Sequence, residues 1–367
     1  MRRLAALMAF LLLGISSLIG TANAAETRKV IIDQDAFEGP GLQPILMLLQ
    51  NSKVEVLGIT VVSGDGWQPE ETAATLRMLE LVGRTDIPVI AGATFPLINS
   101  KARNARREAQ YGALAYKGAW MDSWPSYNTM ARREPHEPHI VPPMREGAPT
   151  SEPLPGSAAE FMLAKSRQYP GQITIIAMGP LTNLALAQRL DDGFASRIRE
   201  VVTEGGNLLG RDISGKQDEF AMQMAYAPRM SFNHIWDPEA AHIVFTSPWP
   251  KLTLVTGDAS DRIIGTQDLL NRATASNQPV AKYVKSIAQP GFPLWDEVEA
   301  AAWMDPAIIR SKGRLSMDVD LMPGANYGAL LTWPAGGGPG LGERDIDVVY
   351  AVDPGRLEAM FVDLLSR

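Results

Sequence analysis

Short apolar, β-branched runs alternate along the chain with segments of helical spacing, and this alternation predicts most of its architecture. Val30-Ile31-Ile32 is a continuous apolar run, as expected of a strand buried on both faces, and it ends in polar Asp33-Gln34-Asp35. A helix is predicted over 42–49. A second strand is predicted over 54–62, ending in Ser63-Gly64-Asp65. The next helix, over 69–81, carries Glu70 and Glu71 in its first turn, where negative charge suits the helix dipole. Further strands are predicted over 87–91, 173–177, 198–203 and 252–255. The strand over 173–177 leads through Gly179-Pro180-Leu181-Thr182-Asn183 into a helix over 184–190, and the one over 198–203 ends at Gly205-Gly206-Asn207. Strand-then-helix repetition predicts a single α/β domain with an open, mostly parallel sheet flanked by helices and joined by right-handed crossovers.

Three stretches break the rhythm. Residues 95–155, rich in Pro, Arg and Glu, read as a long loop or excursion, and long loops in compact domains commonly carry function. Residues 208–229 form a second insertion. Residues 315–333 read as antiparallel strands, followed by Gly336-Gly337-Gly338. No internal repeat and no linker divides the chain.

The amino terminus has the build of a signal peptide. Arg2 and Arg3 precede an apolar stretch over 4–19, and Ala22-Asn23-Ala24 is a small-x-small cleavage site. The expectation is a signal peptide over 1–24 and a mature domain over 25–367, exported to a bacterial periplasm or secreted. The apolar stretch is short for a stable span, so no membrane insertion is expected after cleavage.

Composition narrows the chemistry. With 46% hydrophobic and 20% charged residues the chain is an ordinary globular one. Its formal net charge of -7 and the lack of a basic stripe argue against nucleic acid as a partner. The densest positive run, Lys101 to Arg107, is expected to be a solvated face within a loop. There are no cysteines and only 4 histidines, which excludes thiolate chemistry and leaves oxygen ligands for any metal.

In open parallel sheets, ligands bind beyond the carboxyl ends of the strands. Those ends carry Asp33, Asp35 and the nearby Glu38, then Asp65, Met178 and Asn207, and further along lie Asn233 and Asp296. Carboxylates and amides suit a hard cation beside a polyol. A single strand-end aspartate is as readily a helix cap, but several that converge repel one another unless a cation or protons intervene.

Four segments in this order resemble the inosine-uridine preferring nucleoside hydrolase family. They are Val56-Leu57-Gly58-Ile59-Thr60-Val61-Val62-Ser63-Gly64-Asp65, the stretch from Leu79 to Val89, Met178-Gly179-Pro180-Leu181-Thr182-Asn183-Leu184-Ala185, and Phe232-Asn233-His234-Ile235-Trp236-Asp237-Pro238-Glu239-Ala240-Ala241. The resemblance runs from about Val30 to the carboxyl terminus. It implies cleavage of the N-glycosidic bond of ribonucleosides, with a calcium ion holding the attacking water and two ribose hydroxyls. It implies that Asp35 ligates calcium and acts as general base, with Asp33 supporting it from behind. The Met178 carbonyl and Asp296 would complete the metal set, and Asn233 and Asp65 would meet the ribose. Members are often dimers or tetramers, which makes a homo-oligomer an expectation here.

The chain also departs from the family pattern. Asp-x-Asp is ordinarily followed by Pro-Gly, one variable residue and paired aspartates, but here Asp35 is followed by Ala36-Phe37-Glu38-Gly39-Pro40-Gly41. Glu38 is the nearby carboxylate able to compensate. The glutamate expected two residues before Asn233 is Ser231, and the histidine expected before Asp296 is Trp295. Tryptophan donates no proton to a leaving group but can stack on a nucleobase. Trp67 is a further candidate for the pocket wall, whereas His234 and His242 read as structural. Two functions fit these changes: a divergent calcium-dependent nucleoside hydrolase, or a nucleoside- or sugar-binding protein that has lost catalysis on the same fold.

Overall fold

The computed structural model describes residues 27–37, 39–114, 116–122, 134–209 and 230–367. Among these residues nine strands form a single sheet: β1 (Arg28–Gln34), β2 (Val54–Val61), β3 (Val89–Ala91), β4 (Ile173–Ala177), β5 (Glu200–Glu204), β6 (Leu252–Val255), β7 (Ile309–Val319), β8 (Leu330–Pro334) and β9 (Arg344–Val352). The spatial order is β3-β2-β1-β4-β5-β6-β9-β7-β8. Neighbours from β3 through β9 run parallel, while β7 is antiparallel to both β9 and β8. The expected mixed α/β fold with a mostly parallel sheet is the observed one.

Alternation along β1 divides the core. Val30 and Ile32 belong to one apolar cluster and Ile31 to the other, all without solvent exposure. The first cluster packs under the helices Gln43–Gln50, Trp295–Met304 and Pro354–Leu365, and the second under Ala158–Gln168, Thr182–Leu190 and Pro238–Thr246. Each side chain of this size, fully buried, stabilises the fold by about 1.5–3 kcal/mol.

The chain order places the site. From β1 it moves outward through β2 to β3, then returns across the sheet to β4 on the other side of β1 and continues to β5 and β6. The reversal makes the carboxyl ends of β1 and β4 the topological switch point, where an open sheet leaves a crevice for ligand. Asp33 sits at that end, in register with Thr60 of β2 and Ala177 of β4.

Two expectations require correction. The positive run Lys101 to Arg107 lies on a helix, Lys101–Tyr111, and not in a loop. Ser100 caps that helix by accepting a hydrogen bond from the Arg103 amide, and Arg, Ala, Glu and Gln are good helix formers. Most of its residues are exposed, so its charges do face solvent. The antiparallel pair expected over 315–333 is present as β7 and β8, but β9 joins it to the parallel strands. Of the second insertion, residues 210–229 lie outside the described residues, as do Glu38 and the signal-peptide segment 1–24. No helix among the described residues is long and apolar enough to cross a membrane.

Candidate active site

Asp35 follows directly on β1 and is buried at 6% exposure. Its walls are glycines. A Cβ on Gly64 would lie 2.0 Å from Asp35 Oδ2, and one on Gly179 would lie 2.9 Å from Asp35 Cβ. Ser63-Gly64-Asp65 and Met178-Gly179-Pro180 therefore need glycine so that two neighbouring strand ends can close on this carboxylate. The Asp65 amide donates to Asp35 Oδ2 at 3.1 Å.

Asp33 is fully buried behind it. Its Oδ1 accepts hydrogen bonds from Thr60 Oγ1 at 2.6 Å and Asn183 Nδ2 at 2.8 Å. Asn183 also donates to the Val61 carbonyl and accepts from the Ala93 amide, so it ties together the ends of three strands. Asp33 Oδ2 has no hydrogen-bond partner among the described residues. Burial pushes the Asp33 carboxyl up to about 7.

The surrounding charges are of one sign. Burial raises Asp35 well above the carboxylate range, and the negative charges of Asp65, Glu204 and Asp33 raise it further. Burial raises Asp296 likewise, with Glu204, Glu299, Glu297 and Asp35 adding to it. Asp65 is pushed up to about 6 and Glu204 to about 8, again chiefly by burial. The largest influences on these four groups are burial and, for Asp35, Glu204 and Asp296, the charges of neighbouring carboxylates. Carboxylates buried this way ionise together only when a cation joins them.

Met178 presents its main-chain carbonyl to the Nδ2 of Asn233 at 3.1 Å, and the same nitrogen donates to Glu204 Oε1 at 2.9 Å. Asp296 and Trp295 open the helix Trp295–Met304. They line a hollow with Phe37, Pro40, Asp65 and Phe292. The Trp295 indole donates to Asp261 Oδ1 at 2.7 Å, with Phe292 edge-on at 6.0 Å. Trp67 borders an adjoining hollow that shares Phe37 and Asp65, and it packs edge-on to Trp236, on which Trp120 stacks at 3.9 Å.

The fold thus gathers Asp33, Asp35, Asp65, Met178, Asn233, Trp295 and Asp296 at one crevice. Asn207 is buried with its side chain against Gly257, beside Asp261, the residue that accepts from the Trp295 indole. Glu38 falls outside the described residues. His234 is fully buried against Phe245, and His242 pairs with Asp318 at 2.6 Å, both in structural positions.

Sequence reasoning missed three participants. Tyr116, from the 95–155 excursion, donates its hydroxyl to Asp65 Oδ1 at 2.7 Å. Nothing in the local sequence marks it, because only the folded excursion brings it there: the Ala119 amide donates to the Gly64 carbonyl at 2.9 Å. Glu71 looked like a first-turn helix residue, but its buried carboxylate accepts from the Gly66 amide at 2.7 Å and supports the same turn. Glu204, the last residue of β5, has no role assigned from sequence.

For a metal, the donors present are all oxygens: the carboxylates of Asp35 and Asp296 and the carbonyl of Met178. Among the described residues no three His, Asp or Glu side chains already converge as a metal group. The donor chemistry and the concentration of negative charge fit a hard divalent cation bound by few protein ligands, with water and substrate oxygens filling the remaining positions.

Similarity to known proteins agrees with this arrangement. The family description "Inosine-uridine preferring nucleoside hydrolase" matches residues 30–359. The chain is 30% identical over 266 residues to a probable uridine nucleosidase of Arabidopsis thaliana, covering 71% of this chain and 69% of that protein. It is 27% identical over 290 residues to the inosine-uridine preferring nucleoside hydrolase of Crithidia fasciculata, covering 77% and 78% of the two chains. Among solved structures, a plant nucleoside hydrolase superposes with a TM-score of 0.69 at 22% identity, over 92% of this chain and 99% of that one. With the strand-end carboxylates, the Gly-Pro-Leu-Thr-Asn turn and the switch-point crevice all in place, the chain belongs to the inosine-uridine preferring nucleoside hydrolase family, whose members are N-glycosyl hydrolases.

Proposed function

We propose that the protein is an exported, calcium-dependent hydrolase of the N-glycosidic bond in nucleosides or related ribosides, with Asp35 as its general base. The observation that carries this reading is the position of Asp35: buried at the sheet's switch point, between two glycines, beside the negative charges of Asp65, Glu204 and Asp33. When bound, calcium would orient water and sugar hydroxyls and hold the site carboxylates ionised. Asp35, Asp296 and the Met178 carbonyl would hold it. Asp35 then accepts the proton of the attacking water. Asp33 keeps Asp35 in place from behind and is itself fixed by Thr60 and Asn183. Asn233 and Asp65 face the sugar. Positive charge develops on the ribosyl ring as the bond to the base breaks, and the carboxylates around it stabilise that charge. Trp295 and Phe37 offer flat surfaces against which a base can stack as it leaves.

The test is release of free ribose from a panel of purine and pyrimidine nucleosides. Calcium should support turnover, chelation should abolish it, and Asp35→Asn should lower kcat by about 10²–10⁴-fold with little change in fold stability. Unchanged turnover in Asp35→Asn would remove Asp35 from its assigned role. Export is checked in the same preparation, where the recovered protein should begin at Ala25. The replacement of the expected histidine by Trp295 favours a second reading, a binding protein without catalysis. Ligand-dependent thermal stabilisation with no ribose released from any nucleoside would establish it.

A further inference from the structure

We propose that Glu204 is the sugar-binding carboxylate of this protein, replacing the one that the family pattern places at position 231. The inference rests on the hydrolase reading above and adds a specific substrate contact to it.

Position 231, where the resemblance leads one to expect glutamate, holds serine, and its side chain has a local task. Ser231 Oγ accepts from the His234 amide and caps the helix Phe232–Trp236. It is buried at 7% exposure. A carboxylate is nevertheless present beside the same ribose-facing amide. It comes from the end of β5 instead of the loop before the helix: Glu204 Oε1 accepts from Asn233 Nδ2 at 2.9 Å. The two positions meet directly. A Cβ on Gly205 would lie 2.4 Å from Ser231 Oγ. Gly205 has a φ of 131°, a backbone conformation that favours glycine, and this is what lets the strand end turn against Ser231.

Glu204 is therefore anchored on its amide side by Asn233, next to the Met178 carbonyl that accepts from the same nitrogen. The shared Asn233 nitrogen, bonded to both Glu204 Oε1 and the Met178 carbonyl, puts Glu204 on the crevice side of β5. A half-buried carboxylate held by an amide is a suitable acceptor for a sugar hydroxyl. It also adds negative charge beside the ribosyl ring as positive charge develops there.

The experiment measures ribose affinity by calorimetry, calcium affinity without sugar, and KM and kcat for ribonucleosides in the wild type, Glu204→Gln and the double variant Glu204→Gln/Ser231→Glu. Loss of a charged hydrogen bond should weaken ribose binding and raise KM by about tenfold or more. Calcium affinity should fall much less. The double variant, with a carboxylate restored on the other side of the same contact, should recover part of the loss in ribose affinity. A Glu204→Gln protein that binds ribose within about twofold of wild type overturns the proposal and leaves the hydrolase reading intact. A wild type that binds neither ribose nor nucleoside overturns both. A loss in Glu204→Gln that appears only in calcium affinity, with ribose affinity at saturating calcium unchanged, makes Glu204 a metal residue and overturns the sugar assignment.

Discussion

At the scale of single residues, burial sets the chemistry. His234 illustrates this away from the metal set. Fully enclosed and without a hydrogen-bond partner on either ring nitrogen among the described residues, it is held neutral, its pKa lowered from 6.5 to about 4 by desolvation. Between those values the unfolded chain binds a proton that the folded chain refuses, so stability from this residue rises with pH across that window. Folding is penalised by about 3 kcal/mol at the acid end, taking ~1.4 kcal/mol per pKa unit. The pH profile of urea midpoints should therefore be flatter in His234→Leu than in wild type between about pH 4 and 6.5. Parallel profiles would mean that His234 does not titrate in this way. The sequence already indicated a structural role for His234 by placing it at a predicted helix. It gave no indication of Tyr116, because the hydroxyl contact to Asp65 depends on how a long excursion returns to the sheet.

At the scale of elements, the connections between secondary structures do much of the positioning. Asp237 is fully buried and joins three of them. Its Oδ1 accepts from the Ala240 amide and caps the helix Pro238–Thr246, while its Oδ2 accepts from Thr182 Oγ1 at 2.7 Å and the Leu97 amide at 2.9 Å. It thereby fixes the helix after β4, the helix after Asn233 and the start of the excursion that delivers Tyr116. Asp237→Ala removes a cap and strands one buried and one half-buried donor, so it should destabilise the fold by about 3 kcal/mol in urea denaturation at unchanged m-value. Asp237→Asn keeps the acceptor oxygen and should cost markedly less. The sequence displayed Asp237 within Ile-Trp-Asp-Pro-Glu-Ala-Ala, and aspartate before proline is a readable helix start. Its two distant partners were not readable, because Thr182 and Leu97 lie 55 and 140 residues away. The same limit explains why the positive run 101–107 was expected in a loop. Its composition is polar throughout, and polar helices show no apolar period to detect.

At the scale of the whole molecule, the sheet order places acidic groups from four separate segments at one end of the sheet. This arrangement opposes folding unless protons or a cation offset it. Calcium at millimolar concentration should accordingly raise the midpoint of thermal unfolding near neutral pH, and excess chelator should lower it, by several degrees in either direction. Magnesium, which demands tighter octahedral geometry, should stabilise less. Equal midpoints in calcium and in chelator would remove the calcium assignment without touching the family or the fold.

The sequence by itself determined the fold class, the family and the strand ends where chemistry occurs. These follow from local patterns: apolar runs that must be buried, glycine and proline turns, and short motifs of fixed spacing. It also supplied the departures at positions 36–41, 231 and 295. Tertiary structure decided which of the resulting groups share a site. Asp35, Glu204 and Asp296 are separated by 169 and 92 residues (204 − 35 and 296 − 204) and meet only because β1 and β5 end, and the helix Trp295–Met304 begins, at the same crevice. Whether a strand-end glutamate meets a ribose-facing asparagine depends on strand order and on how the chain turns at Gly205. Those are set by packing over the entire sheet, which local residue patterns do not encode.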